Sequence, residues 1–262
     1  MPMGGAVVSA AQRALADELA DAAGAVVRRY FRQKIAIDDK ADTSPVTIAD
    51  REAETVMRRL IEARFPADGI LGEEHGTVRA GADQVWVLDP IDGTKSFISG
   101  IPLFGTLIAL LHEGRPVLGI IDQPISRERW RGVVGQESTH NGAAIRTRAC
   151  PTLAAATLFA TSPDMFQGAD AAAFARLKSA AKLTRHGGDC YAYGLVASGF
   201  IDCVVEAGLK PYDYCALVPV IEGAGGIMTD WQGRALGLAS DGRVLAAGDR
   251  GLHAAARALL AA

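Results

Sequence analysis

The sequence predicts an α+β protein, and three observations carry the prediction. In two N-terminal segments apolar residues recur at three- and four-residue steps, the pattern of amphipathic helices. After Pro66 the character changes to short β runs divided by turn residues. From about Arg148 strands and helices alternate. The 262 residues, 49% of them hydrophobic, are enough to bury a sizeable core. No repeat or low-complexity linker divides the chain. Residues 1–262 are therefore expected to form one unit, with approximate halves 1–147 and 148–262.

Val8, Ala11, Leu15, Leu19, Ala22, Val26 and Tyr30 mark the first helix. Turn formers then suggest a loop from Asp38 to Pro45. Thr47-Ile-Ala-Asp50 resembles a capping box with Asp in place of the usual Glu, and the helix behind it carries Ala53, Val56, Met57, Leu60 and Ile61 on one face. Ile70-Leu71, Val85 to Leu88, Thr106 to Leu111, Val117 to Ile121 and Arg129 to Val134 read as strands. His112 to Pro116 is a hairpin connection, and Gly135 to Gly142 closes this half. Beyond it come an alanine-rich helix from Ala169 to Leu183, a helix from Tyr191 to Ser198 and a strand from Ile201 to Glu206. A further helix runs from Asp213 through Glu222, followed by a strand from Val244 to Ala247 and a helix from Leu252 to Ala261.

Composition excludes several classes. Net charge is −3, without a basic stripe, which argues against a nucleic-acid partner. Met1 to Gln12 contains no Lys or Arg, so the basic n-region of a secretory signal is missing. The longest nearly apolar run, Gly100 to Leu111, falls short of the roughly 20 residues a membrane helix needs. A cytoplasmic protein with no membrane partner is the expectation. The 4 cysteines, Cys150, Cys190, Cys203 and Cys215, form no C-x-x-C pair, which argues against a disulfide scaffold or structural zinc.

Three segments carry chemistry: Gly72-Glu73-Glu74, Asp89-Pro90-Ile91-Asp92-Gly93-Thr94 and Pro211-Tyr212-Asp213. Each sets carboxylates at the end of a strand or the start of a helix. Pro90 lacks an N–H and cannot continue a ladder, so the chain is expected to turn there, with the Ile91 carbonyl between Asp89 and Asp92. Oxygen donors on short loops, with His75 the nearest imidazole, suit a hard cation such as Mg²⁺ better than Zn²⁺. A helical turn starting at Gly93-Thr94-Lys95-Ser96 would add amides for an anion. Carboxylates, a divalent metal and an anion nest together describe phosphoryl chemistry. Singly, Glu73-Glu74 is an ordinary solvated turn, Asp92-Gly93 an ordinary turn pair and Asp213 an ordinary N-cap. Those readings leave the clustering at element ends unexplained. Covalent routes do not fit: no cysteine has an Arg six residues on, and Asp89 and Asp92 are spaced by three rather than the two of a D-x-D nucleophile motif.

Glu73-Glu74, Trp86 to Thr94 (W-V-L-D-P-I-D-G-T) and Asp213 with Glu222-Gly-Ala-Gly-Gly226 resemble, in order, the motifs of the inositol monophosphatase family. The C-terminal half, through Gly187-Gly-Asp-Cys-Tyr191 and Glu206 to Asp213, is most similar to the histidinol-phosphate phosphatase branch. The resemblance implies a layered α/β/α/β/α sandwich of the inositol monophosphatase and fructose-1,6-bisphosphatase type, a homodimer, and about two or three Mg²⁺ ions per site. Carried over by position, Glu73, Asp89, the Ile91 carbonyl, Asp92 and Asp213 would ligate metal. The Gly93 and Thr94 amides would hold phosphate, and Asp50 would accept from the Thr94 hydroxyl, which with Glu73 would orient the attacking water.

The expected reaction is in-line attack of a metal-activated water on a small phosphate monoester. Histidinol phosphate carries an ammonium and an imidazole. Asp189, where inositol-hydrolysing relatives have a small residue, and Glu206, which matches a position contacting the leaving alcohol, would suit such a cation. The other role open to Asp189 is to cap the helix near Tyr191, in which case an inositol or broad sugar-alcohol phosphatase is the alternative. His186, Tyr191, Tyr193 and Trp231 are read as solvated or packing residues. A non-catalytic metal scaffold would not need the Asp50, Glu73 and Thr94 set.

Overall fold

Helix α1 (Ala10–Tyr30) begins at a capping box in which Ser9 accepts from the Gln12 amide and the Gln12 side chain accepts from the Ser9 amide. The geometry is that of a computed structural model, which describes residues 7–39 and 45–261. Leu15, Leu19, Ala23 and Val27 are fully buried on one face, as their spacing predicts. The expected loop from Asp38 to Pro45 is corrected at both ends. Strand β1 (Ile37–Asp39) pairs antiparallel with β2 (Pro45–Thr47), and residues 40–44 lie outside the described residues. Strands of three residues carry too little alternation to be read from sequence. Residues 1–6, half of the N-terminal segment that lacks basic residues, also lie outside the described residues. No helix among the described residues is long and apolar enough to cross a membrane.

Helix α2 (Ile48–Arg64) starts at the predicted box. Thr47 accepts from the Ala49 amide, and Asp50 accepts from both the amide and the hydroxyl of Thr47. Next come β3 (Gly69–Gly72), β4 (Gly76–Val78), β5 (Gln84–Asp92) and the short helix α3 (Thr94–Ile98). The hairpin of β6 (Gly105–His112) and β7 (Arg115–Gln123) turns at Glu113-Gly114, both with positive φ. Strands β8 (Glu128–Val133), β9 (Thr139–His140) and β10 (Ala143–Ala144) complete an 8-stranded sheet in the order β10-β9-β8-β7-β6-β5-β3-β4.

The second sheet opens with β11 (Thr157–Ala160). Helix α4 (Ala169–Ala180) ends three residues before the expected Leu183, because Leu183–His186 forms strand β12, parallel to β11. Helix α5 (Asp189–Ala197) and β13 (Cys203–Glu206) follow. The single helix expected from Asp213 to Glu222 is two: α6 (Pro211–Tyr214) and α7 (Leu217–Gly223), separated at Cys215 and Ala216. Strand β14 (Ile227–Thr229), unread in the sequence, pairs with β15 (Val244–Ala247), and helix α8 (Arg250–Ala261) is last. The order in this 5-stranded sheet is β12-β11-β13-β15-β14.

Period-two alternation sorts the strand residues into layers. Trp86 and Leu88 of β5 face α1 and α2, whereas Val85 and Val87 face the core that holds α5 and α7 between the sheets. On β15, Val244 and Ala246 face that same central core, and Leu245 and Ala247 face α4 and α8. The result is the α/β/α/β/α sandwich. Helix α7 lies directly on the larger sheet, since a Cβ at Gly132 would overlap the Pro219 carbonyl group. Gly132→Ala is therefore expected to cost about 1–3 kcal/mol, or roughly 3–10 °C in Tm. An unchanged melting temperature would contradict this close approach.

Candidate active site

Strand β5 does not end at Pro90, as the missing N–H suggests it should. It continues to Asp92 through a bulge. Asp89 pairs with Leu107 and Asp92 with Gly105, so three residues of β5 span two of β6. Pro90 sits where the ladder is broken and its missing donor costs nothing there. The Thr106 hydroxyl donates to the Pro90 carbonyl at 2.8 Å, and the Ile91 amide donates to Asp89 Oδ1 at 3.1 Å. In a regular strand, residues three apart point to opposite faces. The bulge brings Asp89 and Asp92 to the same side, at the end of the face that Val85 and Val87 present to the central core.

Asp213 reaches them from α6, whose short helix packs on β5 and β6. Its carboxylate accepts from the Lys210 amide at 2.7 Å. Carboxylate oxygens of Asp89, Asp92 and Asp213 lie within 4.8 Å of one another. Glu73, in the turn after β3, is close enough for its charge to act on Asp50, Asp89 and Asp213. That turn is propped by Glu54, which sequence reading missed. Glu54 is fully buried, pairs with Arg58 at 2.6 Å, and accepts from the Glu74 and His75 amides at 2.7 and 3.1 Å. The available signal was its place four residues after Asp50, on the otherwise apolar face of α2.

Burial is the main force on these carboxyls. It pushes Asp89 and Asp92 well above the usual carboxylate range, and neighbouring negative charges push the same way. Asp213 is raised to about 7 by burial, against the pull of the Lys210 amide. Asp50 is raised by burial and held back by its bonds from Thr47. Asp50 Oδ2 is occupied by Thr47, while Oδ1 faces the Thr94 hydroxyl at a long 3.5 Å. That hydroxyl donates to the Ile91 carbonyl at 3.1 Å, so Thr94 stands between the two groups.

Gly93 precedes α3 with φ of 90°, a left-handed conformation that favours glycine. Asp189 packs against it: a Cβ on Gly93 would lie 2.8 Å from the Asp189 carboxyl carbon. Asp189 does not cap α5; Gly188 holds that position. Its Oδ2 accepts from the Ser96 hydroxyl at 2.6 Å, and the next amide, Cys190, donates to Asp92 Oδ2 at 2.6 Å. Burial raises the Asp189 carboxyl, offset by the Ser96 bond and the charge of Lys95. Glu206, at the end of β13, is 4% exposed, and its oxygens accept from the Thr161 amide and the Tyr193 hydroxyl, each at 2.9 Å. Burial carries its pKa to about 7.

These elements enclose a cleft of about 270 Å³ whose walls include Glu73, Asp92, Thr94, Asp189, Glu206 and Asp213. Among the described residues lining it, Lys95 is the single cation. Asp89 lies beneath, 1% exposed. His186 bonds the Ala160 carbonyl and meets the Phe174 edge, Tyr191 bonds Glu128, and Trp231 bonds the Val244 carbonyl; none is among the cleft-lining residues. Tyr193 does line the cleft, but its body is buried. An arrangement of oxygen donors with so little compensating charge can hold a hard divalent cation, and the adjoining turn at Gly93 can accept an anion beside it.

Comparison with known proteins agrees with this geometry. The model of the inositol monophosphatase family matches residues 11–262. The chain is 53% identical over 249 residues to the bifunctional phosphatase IMPL2, chloroplastic, of Arabidopsis thaliana, covering 92% of this chain and 72% of that protein. It is 39% identical over 222 residues to a histidinol-phosphatase of Chlorobaculum parvum, covering 84% and 86%. Among solved structures, an inositol monophosphatase from Zymomonas mobilis superposes with a TM-score of 0.89 at 51% identity, covering 97% of this chain and 100% of that one.

Proposed function

We propose that this chain, which belongs to the inositol monophosphatase family, is a Mg²⁺-dependent histidinol-phosphate phosphatase. Its being a phosphatase of that family follows from the match itself. The observation that carries the choice of substrate is Asp189, a carboxylate on the cleft wall beside Gly93, where a cationic substrate group would sit. Relatives named histidinol-phosphatases, at 39% and 34% identity, support it.

Enzymes of this family use divalent metal ions, and the donor set fits one. One buried and two half-buried carboxylates, with oxygens within 4.8 Å of each other, need positive charge to ionise together. Glu73, Asp89, the Ile91 carbonyl, Asp92 and Asp213 are the proposed holders of about two or three Mg²⁺ ions. Bound there, the metal supplies charge that makes a water more acidic and offsets the acidic wall toward an incoming phosphate. The protein's part is orientation. Glu73 and the Thr94 hydroxyl aim the attacking water, with Asp50 accepting from Thr94. The Gly93 and Thr94 amides seat the phosphate, and Asp189 meets the ammonium. Glu206, held by Thr161 and Tyr193, forms the wall on the leaving-alcohol side.

A second reading, an inositol or broad sugar-alcohol phosphatase, is supported by the Zymomonas mobilis structure. Phosphate release from histidinol phosphate and from inositol 1-phosphate, each in Mg²⁺ and in EDTA, decides between them. Asp189→Ala is expected to lower kcat/KM for histidinol phosphate about 30- to 100-fold and to change the inositol ester less than about threefold. A wild-type preference for inositol phosphate would discard the histidinol reading. Cytoplasmic residence, a homodimer, and cooperative unfolding of halves 1–147 and 148–262 as one unit complete the proposal. Light scattering and a single melting transition test the last two.

A further inference from the structure

Two short turns far apart in sequence are tied together at the cleft. Asp92, closing β5, accepts from the Cys190 amide in the first turn of α5. In the opposite direction Asp189, opening α5, accepts from the Ser96 hydroxyl of α3, 93 residues away, at 2.6 Å. Asp189 has φ of 42°, a left-handed conformation uncommon for a residue with a side chain, which persists only where surrounding contacts over-determine it. The Ser96 bond and the neighbouring Asp92–Cys190 bond are those contacts.

The Ser96 hydroxyl donates to Asp189 Oδ2, which fixes the orientation of a carboxylate that lines the cleft. The carboxylate lies against Gly93, so it stands beside the seat proposed for the phosphate rather than at the far end of the cleft. With the phosphate seated at the Gly93 and Thr94 amides, a carboxylate against Gly93 is placed to meet a cation near the ester carbon in preference to a more distant ring. Other charges act on Asp189: Asp92 and Glu206 repel it, and the Lys95 ammonium attracts it. The Ser96 bond holds the carboxylate in place against these forces.

We propose that Ser96 is a positioning residue for substrate selection: by holding Asp189 against the Gly93 turn, it makes the site select phosphate esters with an ammonium on the carbon next to the ester carbon. This rests on the role given to Asp189 under the proposed function. The ligand class is the 2-aminoalkyl phosphates, of which histidinol phosphate is one.

The test compares histidinol phosphate with its 2-hydroxy analogue, in which a hydroxyl replaces the amine, using the full-length enzyme in Mg²⁺. Wild type should favour the amino ester. Ser96→Ala should lower kcat/KM for the amino ester about tenfold and for the hydroxy ester less than about threefold, with most of the loss in KM. Ser96→Thr, which keeps the hydroxyl, should recover the preference. The double variant Ser96→Ala/Asp189→Asn should lose little beyond Asp189→Asn alone, because the two act as one unit. Equal losses on both esters, an undiminished preference in Ser96→Ala, or additive losses in the double variant would overturn the role of Ser96 while leaving that of Asp189 standing. A wild-type enzyme with no preference for the amino ester, or inactive on both, would overturn the Asp189 reading and this inference with it.

Discussion

Asp92→Asn is expected to lower turnover of any phosphate ester by about 10²–10³-fold, equivalent to roughly 3–4 kcal/mol of transition-state stabilisation. The substitution keeps the side chain's shape. Its remaining carbonyl oxygen can still accept from the Cys190 amide, so the joint between β5 and α5 survives. What disappears is one negative charge from a closely spaced set. Burial and the charges of Asp189 and Asp213 hold the Asp92 carboxyl well above its usual range, so its ionised form is repelled in the metal-free protein. In EDTA the variant should therefore melt no lower than wild type, while Mg²⁺ should raise its Tm less. Phosphate release and thermal denaturation, each with and without Mg²⁺, separate the two effects. Near-wild-type turnover in Mg²⁺ would remove Asp92 from the reaction, and a large drop in Tm in EDTA would make it a structural residue.

The metal-free protein should gain stability as the pH is lowered from about 8 to about 5.5, with several °C between the ends. Burial raises Asp213 and Glu206 to about 7 in the fold, from ordinary values of 3.8 and 4.5. The folded state thus keeps protons that the unfolded chain releases at lower pH. Their contribution is fully present below the ordinary values and is lost as the pH rises through about 7. Each tenfold difference in proton affinity between the folded and unfolded chain corresponds to about 1.4 kcal/mol, so even one such group makes a measurable slope. Mg²⁺ competes with protons for the carboxylates, so its stabilising effect should grow with pH and flatten or reverse that slope. Melting curves in EDTA and in Mg²⁺ at several pH values give the result directly. A Tm in EDTA that stayed level or rose toward pH 8 would show that the acidic cluster carries no such penalty.

Much of the candidate site was legible because its signals are local. The Thr47 box, the D-P-I-D-G-T run and the glycine at Gly93 each bring their own geometry within a few residues. The bulge was not legible. Pro90 announces a broken ladder, but whether the strand stops or is carried past the break depends on β6, which supplies partners at Leu107 and Gly105 and a hydroxyl from Thr106. The helix expected to reach Leu183 stops at Ala180 because β11 recruits residues 183–186 as a parallel neighbour, a preference that propensity does not contain. Glu54 and Ser96 were passed over for a related reason. A carboxylate on a helix and a serine in a turn are ordinary until the groups they bond, the Glu74 and His75 amides and the Asp189 carboxylate, come from elsewhere in the chain.

By itself, the sequence determined the α+β class, the motif order and the identity of the acidic residues, because alternation, capping and turn chemistry act over a few residues; the layered sandwich was implied by the family resemblance alone. Only the tertiary structure decided which carboxylates share a face, which are already held by hydrogen bonds, and which oxygen of Asp189 accepts from Ser96. Burial and close approach between Asp92, Asp189, Glu206 and Asp213 arise when strands and short helices from both halves meet at one cleft. Separation along the chain carries no information about that distance.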